Sequence, residues 1–202
     1  VVIRNEINAG RIPGPRYLAN GPEITVSGGL GDENALHLPY HQTPTFAWVA
    51  DGPDEIRKVC RLLLREGVDL LKLNVSGDNG PRNSRFERAV MTDAEVAAAV
   101  ETARAGAVRV CAHARSAESV KMCVRHDIDI IYHATFADEE ALDLLEARRD
   151  RVFVGPAVGL TYQACYAASE WGFTPEKARE FGLVHELEVA AVGWDAEDTP
   201  ET

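Results

Sequence analysis

The sequence has no cluster of Lys and Arg residues. Its 21 basic side chains are outnumbered by 32 acidic ones, and the formal net charge is -11 at pH 7. Nucleic acids are bound mainly through clustered positive charge that neutralises their phosphates, so this charge distribution disfavours DNA and RNA. We therefore expect a small molecule or another protein as the partner.

Long apolar runs are also missing. A transmembrane helix needs about 20 consecutive apolar residues, and a signal peptide needs an apolar stretch near its N-terminus. Here the first charge arrives at Arg4, after only three apolar residues. The sequence therefore predicts a soluble, cytoplasmic protein that does not contact a membrane.

None of the four cysteines lies in a CxxC motif. Three of them, Cys60, Cys111 and Cys123, fall within predicted helices or strands, and the fourth is Cys165. This pattern favours free thiols in a reducing cytoplasm over a disulfide framework.

From Asp51 onward, helix and strand patterns alternate at the cadence of a parallel α/β sheet. Strands are predicted over residues 69–75, 108–112, 128–132 and 152–154. Helices are predicted over residues 53–67, after the Thr92 and Glu95 capping box, over residues 116–126 and 138–149, and from Thr174. The 202 residues suffice for one domain but fall short of the about 250 of a complete eight-unit barrel.

The segment before Asp51 is rich in Gly and Pro. Residues 16–19 and 24–26 look extended, and a long loop with His37 and His41 follows, where a barrel would place substrate loops. Neither GxGxxG nor GxxxxGK[ST] occurs in this segment. A nucleotide-binding protein is therefore disfavoured, because those patterns hold nucleotide phosphates.

Three polar residues, Lys72, His113 and His133, each close a short apolar run. The carboxyl ends of barrel strands converge on the active site, so the three indicate a shared metal site. His113 and His133 are 20 residues apart, about one βα unit, which predicts neighbouring strands. Neutral imidazole is the commonest protein ligand for zinc and similar ions.

Lys72 is an unusual candidate, because an ammonium group has no lone pair. A buried lysine loses its proton more readily, and the neutral amine can react with carbon dioxide to give a carbamate whose oxygens bind metals. Each residue also has a simpler interpretation. A lone buried His is usually a satisfied core residue, and a Lys in an apolar run is often a snorkelling residue or the partner of a buried carboxylate.

Counting back four residues from each His leads to Arg109 and Asp129. Strand alternation predicts that both lie on the inward face, so we expect them to pair at the end of the barrel opposite the metal site.

Several motifs resemble the amidohydrolase superfamily, in particular the imidazolonepropionase-like group with its metal-dependent Xaa-Pro dipeptidases. They are IPGPRYLANG near the start, the GGLG loop, LLKLNVSG around Lys72, and PAVGLTY, which ends at Tyr162. The resemblance extends over residues 2–190 and implies a TIM-type (β/α)8 barrel.

By this resemblance, Lys72 is a carboxylated lysine that bridges two divalent ions, most simply zinc, and His113 and His133 bind the second ion. Substrate would lie near Tyr162, Arg115 and the loop of His37 and His41. The family's HxH pair of metal ligands is absent from the sequence. The resemblance also implies a catalytic aspartate at the end of the eighth strand, but Asp195 has no apolar strand before it. The catalytic base is therefore unassigned.

These departures predict an incomplete barrel over residues 1–192, without the first and eighth metal-binding strands, followed by an acidic, disordered tail at residues 193–202. Two functions remain open. The first is part of an amidohydrolase that cleaves amide or peptide bonds of acyl amino acids or dipeptides with metal-activated water, and is itself nearly inactive. The second is a noncatalytic, oligomeric binding or structural subunit, which exposed strand edges would favour.

Overall fold

A computed structural model describes residues 1–39, 45–78, 84–172, 174–176 and 178–179. Helices and strands alternate through most of this length. In chain order they are α1 (Val2–Asn8), β1 (Glu23–Thr25), β2 (Ala47–Val49), α2 (Gly52–Arg65), β3 (Leu70–Asn74), α3 (Asp93–Ala105), β4 (Arg109–Ser116), α4 (Ala117–Arg125), β5 (Ile130–Phe136), α5 (Glu139–Glu146), β6 (Phe153–Gly155) and α6 (Val158–Tyr166).

The strands form one six-stranded sheet in the order β2-β1-β3-β4-β5-β6, and every neighbouring pair is parallel. From β3 onward, neighbouring parallel strands are joined through helices, which is the arrangement of a (β/α) barrel. The six strands are fewer than the eight of a closed barrel. The predicted α/β fold with an incomplete barrel is therefore confirmed.

The hydrophobic core lies between one face of the sheet and the helices. Leu71, Leu73 and Ile131 are fully buried on this face, and α2 packs Ile56 and Cys60 into the same cluster. Because successive strand residues point to opposite faces, the polar residues of β3 and β4 lie on the other face. We call this second face the inward face, and it carries the candidate site.

Helix α3 begins as the sequence predicts. The Thr92 side chain accepts the N–H of Glu95, and the Glu95 carboxylate accepts the N–H of Thr92 at 2.7 Å. The other oxygen of Glu95 accepts the N–H of Gly52 at 2.8 Å. This buried carboxylate therefore joins the starts of α2 and α3.

Two elements were not anticipated. Strand β2 is only three residues long, and α6 follows β6 after a left-handed residue at Ala157. Residues 16–19, which look extended in sequence, form no strand. The helix predicted from Thr174 begins as expected, since the N–H of Ala178 donates to the Thr174 carbonyl at 2.9 Å.

The predicted pairing of Arg109 with Asp129 is wrong. The Asp129 carboxylate accepts the backbone N–H of Val110 at 2.8 Å, and the Arg109 side chain is exposed. A short bond to the backbone at a strand start satisfies the carboxylate without a cation.

Cys60, Cys111 and Cys123 are buried, and all four cysteines are free thiols. Burial raises the pKa of the Cys60 thiol to about 12 and that of Cys111 to about 11.

No helix in the part of the chain that the structure describes is long and apolar enough to cross a membrane. The predicted tail at residues 193–202 lies outside the described residues.

Candidate metal centre

Lys72 lies in the middle of β3 on the inward face, with 12% of its side chain exposed. Its Nζ donates to the Asn74 side-chain oxygen at 3.1 Å and lies 3.6 Å from the Glu23 carboxylate. Burial lowers the pKa of Lys72, and the nearby Glu23 carboxylate opposes that shift. The lysine therefore has a partly buried carboxylate partner, close to the buried carboxylate that was one of the open alternatives.

His113 is buried on β4, where its Cα pairs in register with Asn74 of β3. Its Nε2 lies 2.9 Å from the Gly77 carbonyl and 3.5 Å from the Asp78 carboxylate. A carbonyl can only accept a hydrogen bond, so Nε2 carries the proton and the lone pair of the neutral ring lies on Nδ1. Burial, and then the neighbouring His133, lower the pKa of His113, which favours the neutral form that binds metals.

The ring of His133 lies close to that of His113 although the two residues are not register partners, because the backbone of β5 is irregular at this point. The two ring centroids are 4.8 Å apart in an edge-to-face arrangement. In the β4–β5 register, however, His113 pairs with Tyr132, and His133 pairs with Ala114 on the opposite face. His133 and Ala134 have φ values of 78° and 53°, and the register shifts between Ala114 and Ser116. These left-handed residues interrupt the alternation of β5 beside the His133 ring.

Arg115 occupies the same face of β4, two residues beyond His113, and is only 3% exposed. Its Nε donates to the Asp78 carboxylate at 2.9 Å, and one terminal nitrogen donates to the Thr135 hydroxyl at 2.8 Å. A guanidinium held in this way is already paired inside the protein. Asp78 was not anticipated, although the Val-Ser-Gly-Asp sequence that follows β3 is a signal that could have indicated it.

The glycine-rich loop after β1 lies beside Lys72. The Asn74 amide donates to the Leu30 carbonyl at 3.0 Å, so one side chain contacts both the loop and the lysine. His37 is exposed in a turn of this loop, and His41 lies outside the described residues. Tyr162 lies on α6, with its ring 4.7 Å from that of Tyr166. The roles of the two histidines and of Tyr162 with substrate remain predictions.

The donor set differs from that of a preformed metal site. Within the described ranges, no three His, Cys, Asp or Glu side chains are grouped so that they could hold a metal ion. Two imidazoles 4.8 Å apart nevertheless suit a shared divalent ion, and a carboxylated lysine would add anionic oxygens. The residues present therefore fit part of a metal centre.

No protein-family model matches the chain. Among curated proteins, the ochratoxinase of Aspergillus niger is 26% identical over 160 residues, which cover 72% of this chain and 33% of that protein. A solved Xaa-Pro dipeptidase with bound methionine is 28% identical, with a TM-score of 0.77 over 94% of this chain and 47% of its own. A prolidase complexed with N-methylphosphonate-L-proline has a TM-score of 0.85 at 22% identity and matches 95% and 48% of the two chains.

The chain thus spans about a third of the ochratoxinase and about half of the two solved structures. A further structure with the same fold, TM-score 0.82 at 22% identity, is named an amidohydrolase. Together with the parallel (β/α) sheet, these relationships support the predicted resemblance to the amidohydrolase superfamily, with an incomplete barrel.

Proposed function

We propose that this chain supplies part of the metal centre of an amidohydrolase that cleaves amide or peptide bonds in small substrates. The observation that carries the proposal is the 4.8 Å approach of the His113 and His133 rings. The similarity to a prolidase and to a Xaa-Pro dipeptidase supports a substrate of the dipeptide or acyl amino acid type.

In this proposal, His113 binds a divalent ion through Nδ1, because its Nε2 donates to the Gly77 carbonyl. His133 is the second imidazole, and Lys72 is the residue that becomes carboxylated. The lowered pKa of Lys72 supports this role, since only the neutral amine attacks carbon dioxide. The resemblance implies two divalent ions, most simply zinc, which Lys72, His113 and His133 would help to hold.

A bound divalent metal would polarise the scissile carbonyl and lower the pKa of the attacking water. The role of the chain's own side chains in this proposal is to bind and orient the metal. A general base is not assigned, because the resemblance implies an aspartate on the eighth strand and Asp195 lies outside the described residues. The metal ligands of an HxH pair are also absent from the sequence. We therefore expect little hydrolysis by the chain alone, and metal binding is the property to measure first.

The outer strands support association with further barrel segments or with a second copy. Phe153 is 63% exposed on β6, and Trp48 is partly exposed on β2. Apolar side chains on open edge strands favour pairing with another strand. Sedimentation velocity over a range of concentrations tests this, and a monomer at every concentration would contradict it. The alternative of a noncatalytic subunit has no separate observation in its favour.

The experiment that tests the proposal is metal titration of the chain in the presence of bicarbonate. We expect near-stoichiometric zinc, cobalt or manganese, measured by elemental analysis after gel filtration and by chelator competition. Lys72→Ala, His113→Ala and His133→Ala should each lower the affinity at least tenfold. His126→Ala is the matched control, because that residue contacts Asp93 on the outer helices at 3.0 Å. Equal metal content in all four variants would contradict the proposal.

A further inference from the structure

The Nε2 side of His113 faces a small network of buried polar groups. The Gly77 carbonyl accepts from both the His113 ring and the Ser76 hydroxyl, at 2.9 Å and 3.0 Å. The Ser76 hydroxyl in turn accepts the backbone N–H of Arg115 at 2.9 Å. These bonds fix the chain immediately after β3 against β4, so the partner of the His113 ring is held in place.

Asp78 connects this segment to two further strands. Its carboxylate lies 3.5 Å from Nε2 of His113 and accepts from Nε of Arg115 at 2.9 Å. The same guanidinium donates to Thr135, two residues after His133 on β5, at 2.8 Å. The network therefore links the segment after β3, the strand of Lys72, with β4 and β5, which carry His113 and His133.

The chemistry of Arg115 suits a positioning role. Its side chain is 4% exposed and the Asp78 side chain 20% exposed, so the pair lies largely inside the protein. A guanidinium presents donors in a fixed plane; here one donor bonds to Asp78 after β3 and another to Thr135 on β5. Lysine could keep the charge but could not reproduce both bonds, and a buried charge without its partner is costly.

We propose that Asp78 and Arg115 are positioning residues for His113: they hold its ring with Nε2 protonated and Nδ1 free to bind a metal. In this proposal Arg115 acts through Asp78 and Thr135, which is an alternative to the substrate contact predicted from the sequence. This inference rests on the proposed function for its metal, but the fixed tautomer is a property of the metal-free chain.

Two readouts test the proposal. In the metal-free chain at neutral pH, two-bond ¹H–¹⁵N spectra should show His113 as the Nε2–H tautomer. Asp78→Asn, which removes the charge, and Arg115→Lys, which keeps the charge but loses the bond to Thr135, should give mixed tautomers. In chelator competition with Co²⁺, both variants should bind at least tenfold more weakly.

The matched controls are Arg104→Lys and Asp127→Asn, since these two residues form an exposed pair at 3.4 Å. They should change neither readout. Should a variant unfold, the charge-free double variant Asp78→Asn/Arg115→Gln replaces it. An unchanged tautomer and a metal affinity within twofold of the wild type would overturn the inference. A wild-type chain that binds no metal would overturn the proposed function, whereas the tautomer comparison would still decide this inference.

Discussion

The Glu23 carboxylate lies 3.6 Å from the Lys72 amine, on the neighbouring strand of the inward face. Ile24 and Leu73 are register partners, so Glu23 and Lys72 occupy equivalent positions on β1 and β3. This carboxylate opposes the lowering of the Lys72 pKa by burial. Glu23 therefore favours the protonated form of Lys72, the residue that the resemblance identifies as carboxylated.

Replacing Glu23 by Gln should increase carboxylation of Lys72. Loss of the carboxylate lets the pKa of Lys72 fall further, so more neutral amine is present at a given pH. The carbamate signal from ¹³C-bicarbonate should be larger in Glu23→Gln than in the wild type at pH 7.5 and should vanish in Lys72→Ala. Asp54→Asn, which changes an exposed carboxylate on α2, is the control. A carbamate signal that is unchanged or smaller in Glu23→Gln would contradict this expectation.

His113 should make the fold sensitive to acid. Its pKa in the folded chain lies below the ordinary value of 6.5, so the unfolded chain binds more protons as the pH falls through 6.5. The unfolding free energy should then decrease by up to about 1.4 kcal/mol per pH unit below that point. Urea titrations between pH 7.5 and 5 check this. The slope should be shallower in His113→Gln and unchanged in His37→Gln, and equal slopes in all three proteins would show that His113 is not the cause.

The left-handed backbone at His133 predicts an inverted order of substitutions. Glycine adopts a φ of 78° readily, whereas alanine does not. His133→Gly should therefore be more stable than His133→Ala by about 1 kcal/mol in urea unfolding. At Lys121, on regular helix α4, the order should reverse, because glycine destabilises a helix interior relative to alanine. A His133→Ala variant as stable as His133→Gly would indicate that the residue relaxes to ordinary strand geometry.

Glu95 should contribute to stability through both of its oxygens. Glu95→Ala removes the acceptors of the Thr92 and Gly52 N–H groups and should lower the unfolding free energy by about 2 kcal/mol. Glu95→Gln keeps one acceptor and should cost less. Amide hydrogen exchange at Gly52 is the local measurement, since its protection should fall in the alanine variant. Unchanged exchange there would rule out the link between α2 and α3.

Much of the sheet could be predicted from sequence, because its central strands are apolar and bounded by helix caps. The apolar runs before Lys72 and His113 correspond to β3 and β4, and the capping box at Thr92 is present. The three-residue strand β2 carries too little pattern to be recognised. Strands β4 and β5 continue beyond the histidines, to Ser116 and Phe136. In this extension the Arg115 side chain donates a hydrogen bond to the Thr135 hydroxyl.

The candidate site was predictable in its residues but not in its geometry. Lys72 and His113 follow from strand periodicity, whereas the approach of His133 depends on positive φ angles that no periodicity reveals. Asp78 lies in a loop, and its partner Arg115 looked like a substrate contact in the sequence. Only the fold shows that the two are paired with each other.

The interrupted alternation of β5 limits how this site could be transplanted into another barrel. A designer who copies only the side chains onto a regular strand would keep either Tyr132 or His133 on the face with His113, but not the observed relation of both. A transplant would therefore have to include the backbone of β5 with its two left-handed residues, His133 and Ala134, and the register shift to β4. For the same reason, a single-residue insertion or deletion between Ile130 and His133 would exchange the two faces of β5 and replace the observed approach of the imidazoles by a different geometry.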